Sequence, residues 1–312
     1  MPPVSPSDCL RQHEPLSRHT TFRIGGPADL FIAVNSEEAL IAAVRWSIEE
    51  QLPYLILGGG SNVLVADAGV RSLLIANRAR RWEAEATRGD RVSRLRVASC
   101  LPLSQLARHT LSIGLSGLEW AVGIPGTVGG AIIGNAGAHG GCMADTLASV
   151  RILDGAGILR DLAPSELGLG YRTSSLKGSG ADAGMQRTIV SAAFNLETGN
   201  PSELQAKAAE YLRRRRRGQP KGASAGSIFV NPPGDFAGRL IDAAGLKGTM
   251  RGAAEISVVH ANFVMNRGGA TAADVLALMN LARQTVLERF GVVLRPEITL
   301  HGDWSGTIPE ID

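Results

Sequence analysis

Cysteine is scarce and scattered. Cys9, Cys100 and Cys142 form neither a metal-ligand spacing nor a disulfide framework. That excludes a disulfide-stapled secreted scaffold and points to a reducing cytoplasm, with no metal site expected. Aromatic residues make up only 4% of the 312 residues and the net charge is a mild +3, so stacking platforms and a basic footprint for nucleic acid are both lacking. No apolar run reaches the roughly 18 residues that a spanning helix needs, and no membrane partner is expected. The opening stretch MPPVSPSDCLRQHEP has no apolar segment of the kind a secretory leader carries. Two phosphate-binding signatures are missing as well. No GxxxxGK[ST] exists, and the nearest approach to GxGxxG, Gly178 to Gly184, misses the spacing and follows no apolar strand.

Glycine is present in excess. The 38 glycines sit in a chain that is 44% apolar and 20% charged, which is enough for a real core and for two or three domains. They cluster at 58–60, 123–141 and 222–252, with no collagen period and no single linker. Loops of this kind, bounded by strand-like runs, wrap a ligand or another stretch of backbone closely.

Asp29–Val34 reads as a strand, and Ser36 as the cap of a helix that carries Glu37 and Glu38 in its first turn and ends before Pro53. Tyr54–Leu57, Val63–Val65 and Ser72–Ile75 read as further short strands. Arg91–Ala98 alternates as a half-exposed strand, and Pro102–Ile113 has helical spacing with Leu103, Leu106, Ala107 and Leu111 inward. Val150–Leu153 and Ile189–Phe194 read as strands, and Pro201–Arg217 as a helix ending in five arginines. Composition shifts at Pro220–Ser227, which reads as a linker. Beyond it, Gly238–Ala244, Thr271–Phe290 and a strand Glu297–Leu300 complete an α+β pattern, with Thr271 and Asp274 as a capping box. Three parts are expected: 1–80, 81–219 and 220–312.

The loop LILGGGSNVLV follows a strand. Successive backbone N–H groups in a glycine turn make an anion-binding concavity, to which Ser61 and Asn62 add a hydroxyl and an amide. Alone, it would equally fit a tight β-turn. The second loop, GIPGTVGGAIIGNAGAHGG at 123–141, adds Thr127 and Asn135 and contains no carboxylate. Two such loops in different strand–helix units suit a large dinucleotide held without the usual fingerprint.

At this point the strings themselves are specific. HTTFRIGGPAD (19–29), ILGGGSNVLV (56–65), GLEWAVGIPGTVGGAIIGNAGAHG (117–140), YRTS (171–174), AGSIFVNPPGDFAGRLID (225–242), HANFVMN (260–266) and RPEI (295–298) resemble the UDP-N-acetylenolpyruvoylglucosamine reductase (MurB) family, in order, over nearly the whole chain. The short segment from Tyr171 to Ser227 resembles its compact second subclass. The resemblance implies two subdomains binding FAD in the manner of the vanillyl-alcohol-oxidase fold, and a third α+β domain for a UDP-sugar. It also implies NADPH as co-substrate and a role in peptidoglycan synthesis. Cofactor contacts would come from Gly58, Gly59, Gly60, Ser61, Asn62, Gly123, Ile124, Pro125, Gly126, Thr127, Gly129, Gly130, Asn135 and Gly137.

Hydride adding to an enol ether beside a carboxylate leaves negative charge on the α-carbon and carboxylate. That state needs fixed positive charge, hydrogen-bond donors and finally a proton. Arg172 resembles the family arginine that supplies charge, Ser227 the proton donor and Glu297 the catalytic glutamate, whose apolar surroundings would raise its pKa. Without the family context, these three read first as a surface ion pair, a turn serine and a partner of Arg295. Tyr171, Asn231 and Arg239 resemble substrate contacts. Ser61 stands where covalent-flavin relatives carry histidine, so FAD should be non-covalent, with His139 the one histidine near a loop.

The chain departs from the family at three places. Val230 replaces a usual lysine or other polar residue before Asn231, so charge for the diphosphate must come from elsewhere, and Arg213–Arg217 is the candidate. Cys100 and Gly134 stand where a glycine and a larger residue are expected. Another flavin oxidoreductase or oxidase on the same fold, or a non-catalytic nucleotide-sugar binder, remains open at this level. No long exposed apolar stripe argues for a dimer, so a monomer or weak oligomer is expected.

Overall fold

Ser36 starts the first helix: its Oγ accepts a hydrogen bond from Ala39 N at 3.1 Å, and α1 runs Glu37–Glu49 with both glutamates at its positive end. The computed structural model describes residues 6–88, 92–177 and 187–304. Arg91 and the Gly178–Gly184 stretch lie outside them. The described residues form two compact units, one of residues 6–10, 31–59 and 72–215, the other of 11–30, 60–71 and 216–304.

In the first unit, Tyr54–Leu57 runs parallel to Leu73–Ala76. A larger antiparallel sheet follows the order Leu159–Leu162, Leu147–Leu153, Thr188–Thr198, Val92–Ala98 and Trp82–Arg88. Its apolar face meets α2 (Leu103–Ser112), α3 (Val128–Ile133) and α4 (Pro201–Gly218), so that Leu95, Val97, Leu106, Ile132, Phe194 and Leu204 share one core. The outer strands Trp82–Arg88 and Leu159–Leu162 are not legible from apolar alternation. Cross-strand charge pairs hold them instead. Glu85 pairs with Arg94 and Arg96, and Asp161 accepts from both Nε and Nη2 of Arg151 at 2.8 Å.

In the second unit, Val63–Val65 runs parallel to Thr299–His301. Helices α5 (Ala237–Ala243) and α6 (Ala272–Phe290) pack Leu240, Val275 and Met279 with Phe22, Leu64 and Ile228. The Thr271–Asp274 capping box forms as expected, and Asp67 adds two more bonds, accepting from Ala272 N and Ala273 N at 2.8 and 3.0 Å. Two expectations change here. The last strand begins at Thr299 and not at Glu297, because Pro296 has no N–H and Glu297 N donates elsewhere, to Ile228 O at 2.7 Å. The stretch Pro220–Ser227 is not a bare linker. Its Ala225 is buried in this unit's core, and Ala223 bridges Asn266. Among the described residues no helix is long and apolar enough to cross a membrane, and no group of three His, Cys, Asp or Glu could hold a metal.

Candidate active site

The two glycine loops meet in the first unit. A Cβ at Gly58 would lie 2.7 Å from Thr127 Oγ1, and one at Gly59 would lie 3.4 Å from Gly126 Cα. The second loop is pinned to the segment before α2. Leu103 N donates to Gly126 O at 3.0 Å, Val128 N to Leu101 O at 3.0 Å, and Gly129 N to Ser99 O at 2.7 Å. Gly126 takes φ +104°, which leaves its carbonyl turned toward α2. Thr127 then caps α3 by accepting from Gly130 N at 3.4 Å. Gly130 itself is exposed, and a Cβ there would meet only Thr127 Oγ1, at 3.6 Å.

Gly123 carries a further contact that the sequence did not single out. A Cβ there would stand 2.8 Å from Arg215 Cδ, so the arginine stem lies directly on the loop. Burial pushes the Arg215 guanidinium below its usual range, and no carboxylate among the described residues offsets it. Its neighbours in the run differ. Arg214 pairs with Glu210, while Arg216 and Arg217 are exposed. Apposed glycine turns free of carboxylate, with a half-buried cation on one of them, fit a diphosphate-bearing cofactor such as FAD.

Arg172 stands in a tight turn after this loop, half-buried, at φ +57°. That left-handed conformation costs a non-glycine residue about 1–3 kcal/mol. Its Nη2 donates to Gly137 O at 2.9 Å, and its guanidinium lies 5.7 Å from the Tyr171 ring, which is largely exposed. Asn135 is buried, and both ends of its amide are engaged within the protein: Oδ1 accepts from Ala144 N at 3.2 Å and Nδ2 donates to Gly170 O at 2.9 Å. His139 and Gly140 form the left-handed tip of a hairpin, where the His139 ring stacks on Tyr211 at 4.2 Å.

The second unit holds the remaining candidates. Gly60 packs against His19 and Thr20, and its carbonyl accepts from Thr21 N at 2.9 Å. Ser61 is half-buried. Asn62 ties the loop to the end of the chain, since its Nδ2 donates to Glu297 O at 3.1 Å and its own O accepts from Thr299 N at 2.9 Å. Ser227 and Glu297, both half-buried, lie on adjoining backbone, joined by the Glu297 N to Ile228 O bond and by the bridge of Phe229 to Pro296. Asn262, within HANFVMN, is the residue that sequence reasoning missed. It is buried and clamps the segment after Ser227. Its backbone O accepts from Ile228 N, its Oδ1 from Phe229 N at 2.9 Å, and its Nδ2 donates to Phe229 O at 2.8 Å. The motif string was visible, but a buried amide bracing backbone leaves no periodic trace. Asn231 Oδ1 accepts from Ala237 N at 3.0 Å at the start of α5. Arg239 is exposed and grips Asp235, whose carboxyl it holds down at about 2.

Comparisons with known proteins bear on these two sets of residues. A family model described as a FAD binding domain matches residues 28–163, and one described as the UDP-N-acetylenolpyruvoylglucosamine reductase C-terminal domain matches 219–301. The reductase of that name from Chloroflexus aggregans is 44% identical over 290 residues, covering 93% of this chain and 96% of the relative. The chain belongs to the UDP-N-acetylenolpyruvoylglucosamine reductase family. A second member, from Symbiobacterium thermophilum, is 44% identical over 299 residues, covering 95% and 94% of the two chains. The crystal structure of the Thermus caldophilus enzyme superposes with a TM-score of 0.77 at 36% identity, covering 94% of this chain and 99% of that one. The fold is therefore the expected α+β FAD-binding architecture followed by the family's C-terminal domain, and the family's cofactor is FAD with NADPH as reductant.

Proposed function

We propose that this chain reduces the enolpyruvyl group of UDP-N-acetylenolpyruvoylglucosamine to UDP-N-acetylmuramate for peptidoglycan synthesis, in the cytoplasm, as a monomer or weak oligomer without nucleic-acid or membrane partners. The reading keeps the three-part division at 1–80, 81–219 and 220–312. FAD, held non-covalently, would supply the hydride chemistry, with NADPH as the source of electrons. Gly58, Gly59, Gly60, Ser61, Asn62, Gly123, Ile124, Pro125, Gly126, Thr127, Gly129, Gly130 and Gly137 would hold it, with Arg215 as an added cation; Asn135, also expected in this set, has both ends of its amide engaged within the protein and would meet the cofactor through neither. The stacking of His139 on Tyr211 and the serine at position 61 both support non-covalent attachment.

The observation that carries the reading is the adjoining of Ser227 and Glu297 through the Glu297 N to Ile228 O bond. Hydride addition leaves an enolate-like charge on the substrate. Arg172 stays protonated and would grip the carboxylate, lowering the energy of that charge. Ser227 would give its hydroxyl proton to the α-carbon. A hydroxyl is a weak acid, so it acts only on a strongly basic carbanion and with its conjugate base stabilised by neighbours. Glu297, braced from two sides, would donate or accept a hydrogen bond beside it. Tyr171, Asn231 and Arg239 would contact the nucleotide sugar, Arg239 after exchanging Asp235 for a substrate anion.

The purified, yellow protein should oxidise NADPH only when the enolpyruvyl sugar is present. Steady oxidation without the sugar, with oxygen consumed, would instead identify an oxidase. Ser227→Ala should leave flavin reduction by NADPH nearly intact and slow reoxidation by the sugar about 10²–10⁴-fold, the usual loss on removing one general acid. Equal slowing of both half-reactions in stopped-flow would mean that Ser227 positions the cofactor.

A further inference from the structure

Arg172 occupies a backbone conformation that arginine does not adopt by preference, so something must hold it there. Three ties run from one short stretch of the second glycine loop to the turn that bears it. Ile133 O accepts from Ser174 Oγ at 2.7 Å. Asn135 Nδ2 donates to Gly170 O at 2.9 Å. Gly137 O accepts from the Arg172 guanidinium at 2.9 Å. The tied residues alternate along the loop, and their partners flank Arg172 on both sides as well as reaching its side chain. The turn also closes on itself, with Gly170 N donating to Thr173 O at 3.0 Å and Thr173 N to Gly170 O at 3.4 Å, and Lys177 Nζ adds a bond to Arg172 O at 3.0 Å.

Asn135 is suited to this task by its chemistry. Ala144 N–H can only donate, so it selects the amide oxygen, and the NH₂ group is left facing the Gly170 carbonyl. Asn135 and Ser174 are both buried. Their bonds are partly shielded from water: loss of the Ser174 hydroxyl removes the donor to Ile133 O, and loss of the Asn135 NH₂ leaves Gly170 O with only the long bond from Thr173 N at 3.4 Å.

We propose that Asn135, together with Ser174, is a positioning residue for Arg172, setting the left-handed turn from which the guanidinium meets the substrate carboxylate. This rests on the reading of Arg172 given above. It also makes one loop serve two purposes, a cofactor cradle through its glycines and a mount for the arginine through its asparagine.

Asn135→Asp tests it. The change keeps volume and the acceptor for Ala144 N, removes the donor to Gly170 O, and sets two oxygens against each other. In the holoenzyme, flavin content and the rate of flavin reduction by NADPH should stay within about twofold of wild type, while reoxidation by the enolpyruvyl sugar should fall about 10²-fold, as expected for a small misplacement of a reacting group. Placed in an Arg172→Ala background, Asn135→Asp should add no more than about twofold, because a residue that acts through Arg172 has nothing left to position. Ser174→Ala should follow the same pattern, and it carries the test alone if Asn135→Asp does not fold. Wild-type reoxidation in the single variants, or a full additive loss in the double ones, would overturn the proposal. Wild-type reoxidation in Arg172→Ala alone would overturn the reading of Arg172 instead.

Discussion

Arg215 differs from the other four arginines of its run in what it touches. Its stem lies on Gly123 and burial disfavours its charge, so a bound anion would relieve a desolvated cation. The sequence pointed only to the run as a whole, since a helix periodicity does not say which of five like residues meets a loop. Arg215→Ala should weaken FAD binding about ten- to a hundredfold, the equivalent of one charge-assisted hydrogen bond at roughly 1.5–3 kcal/mol. The salt dependence of FAD binding should shrink with it, whereas the exposed Arg217→Ala should change little. Titration of stripped protein by flavin fluorescence at low and high salt reads both. Equal effects of the two substitutions would mean diffuse attraction and no contact. Cys100 shows the same limit of sequence. Its exposure could not be read from its neighbours, yet it is buried with its thiol on the Asn77 carbonyl, and burial raises its pKa.

At the scale of elements, helices with chemical ends were legible and charge-held strands were not. Ser36 and the Thr271–Asp274 box announce their helices because a cap is a local bond between residues a few positions apart. Trp82–Arg88 and Leu159–Leu162 depend on partners far along the chain, and so does the late start of the strand at Thr299. The glycine loop and α3 carry a sharp prediction. A Cβ at Gly130 would meet nothing nearer than Thr127 Oγ1 at 3.6 Å, so the protein alone has room for alanine there. Alanine within a helix should stabilise the stripped protein by up to about 1 kcal/mol. The same methyl should weaken FAD binding roughly tenfold or more if the backbone approaches a phosphate. Melting of the stripped protein and a flavin titration together decide it. A variant that is more stable and binds FAD as well as wild type would show that this face of the loop does not meet the cofactor.

For the molecule as a whole, stability should fall on mild acidification. His301, at the end of the strand Thr299–His301, has its pKa lowered from 6.5 to about 4 by desolvation. The unfolded chain therefore takes up the proton first. The neutral form's contribution is complete above the unfolded value and is lost as pH falls through the window from 6.5 toward 4, by up to about 3 kcal/mol and less where the ring meets solvent. His139 and His260, also lowered by burial, act with the same sign. Urea midpoints measured at pH 7.5 and pH 5 should diverge for wild type, and the gap should narrow for His301→Gln. An unchanged gap in that variant would place the acid sensitivity in other groups.

The sequence by itself determined the fold class, the helix starts, the two glycine loops and the three residues proposed for the chemistry. Each of these is carried by local order: a cap, a turn of glycines, or a family string. Only the tertiary structure decided that Gly58 abuts Thr127, that Ser227 and Glu297 stand on joined backbone, that Asn262 braces that join, and that Asn135 ties the loop to the Arg172 turn. These are hydrogen bonds and close approaches between segments tens of residues apart. A single buried amide satisfies whichever backbone the fold brings to it, so its partner is set by packing and by no pattern along the chain.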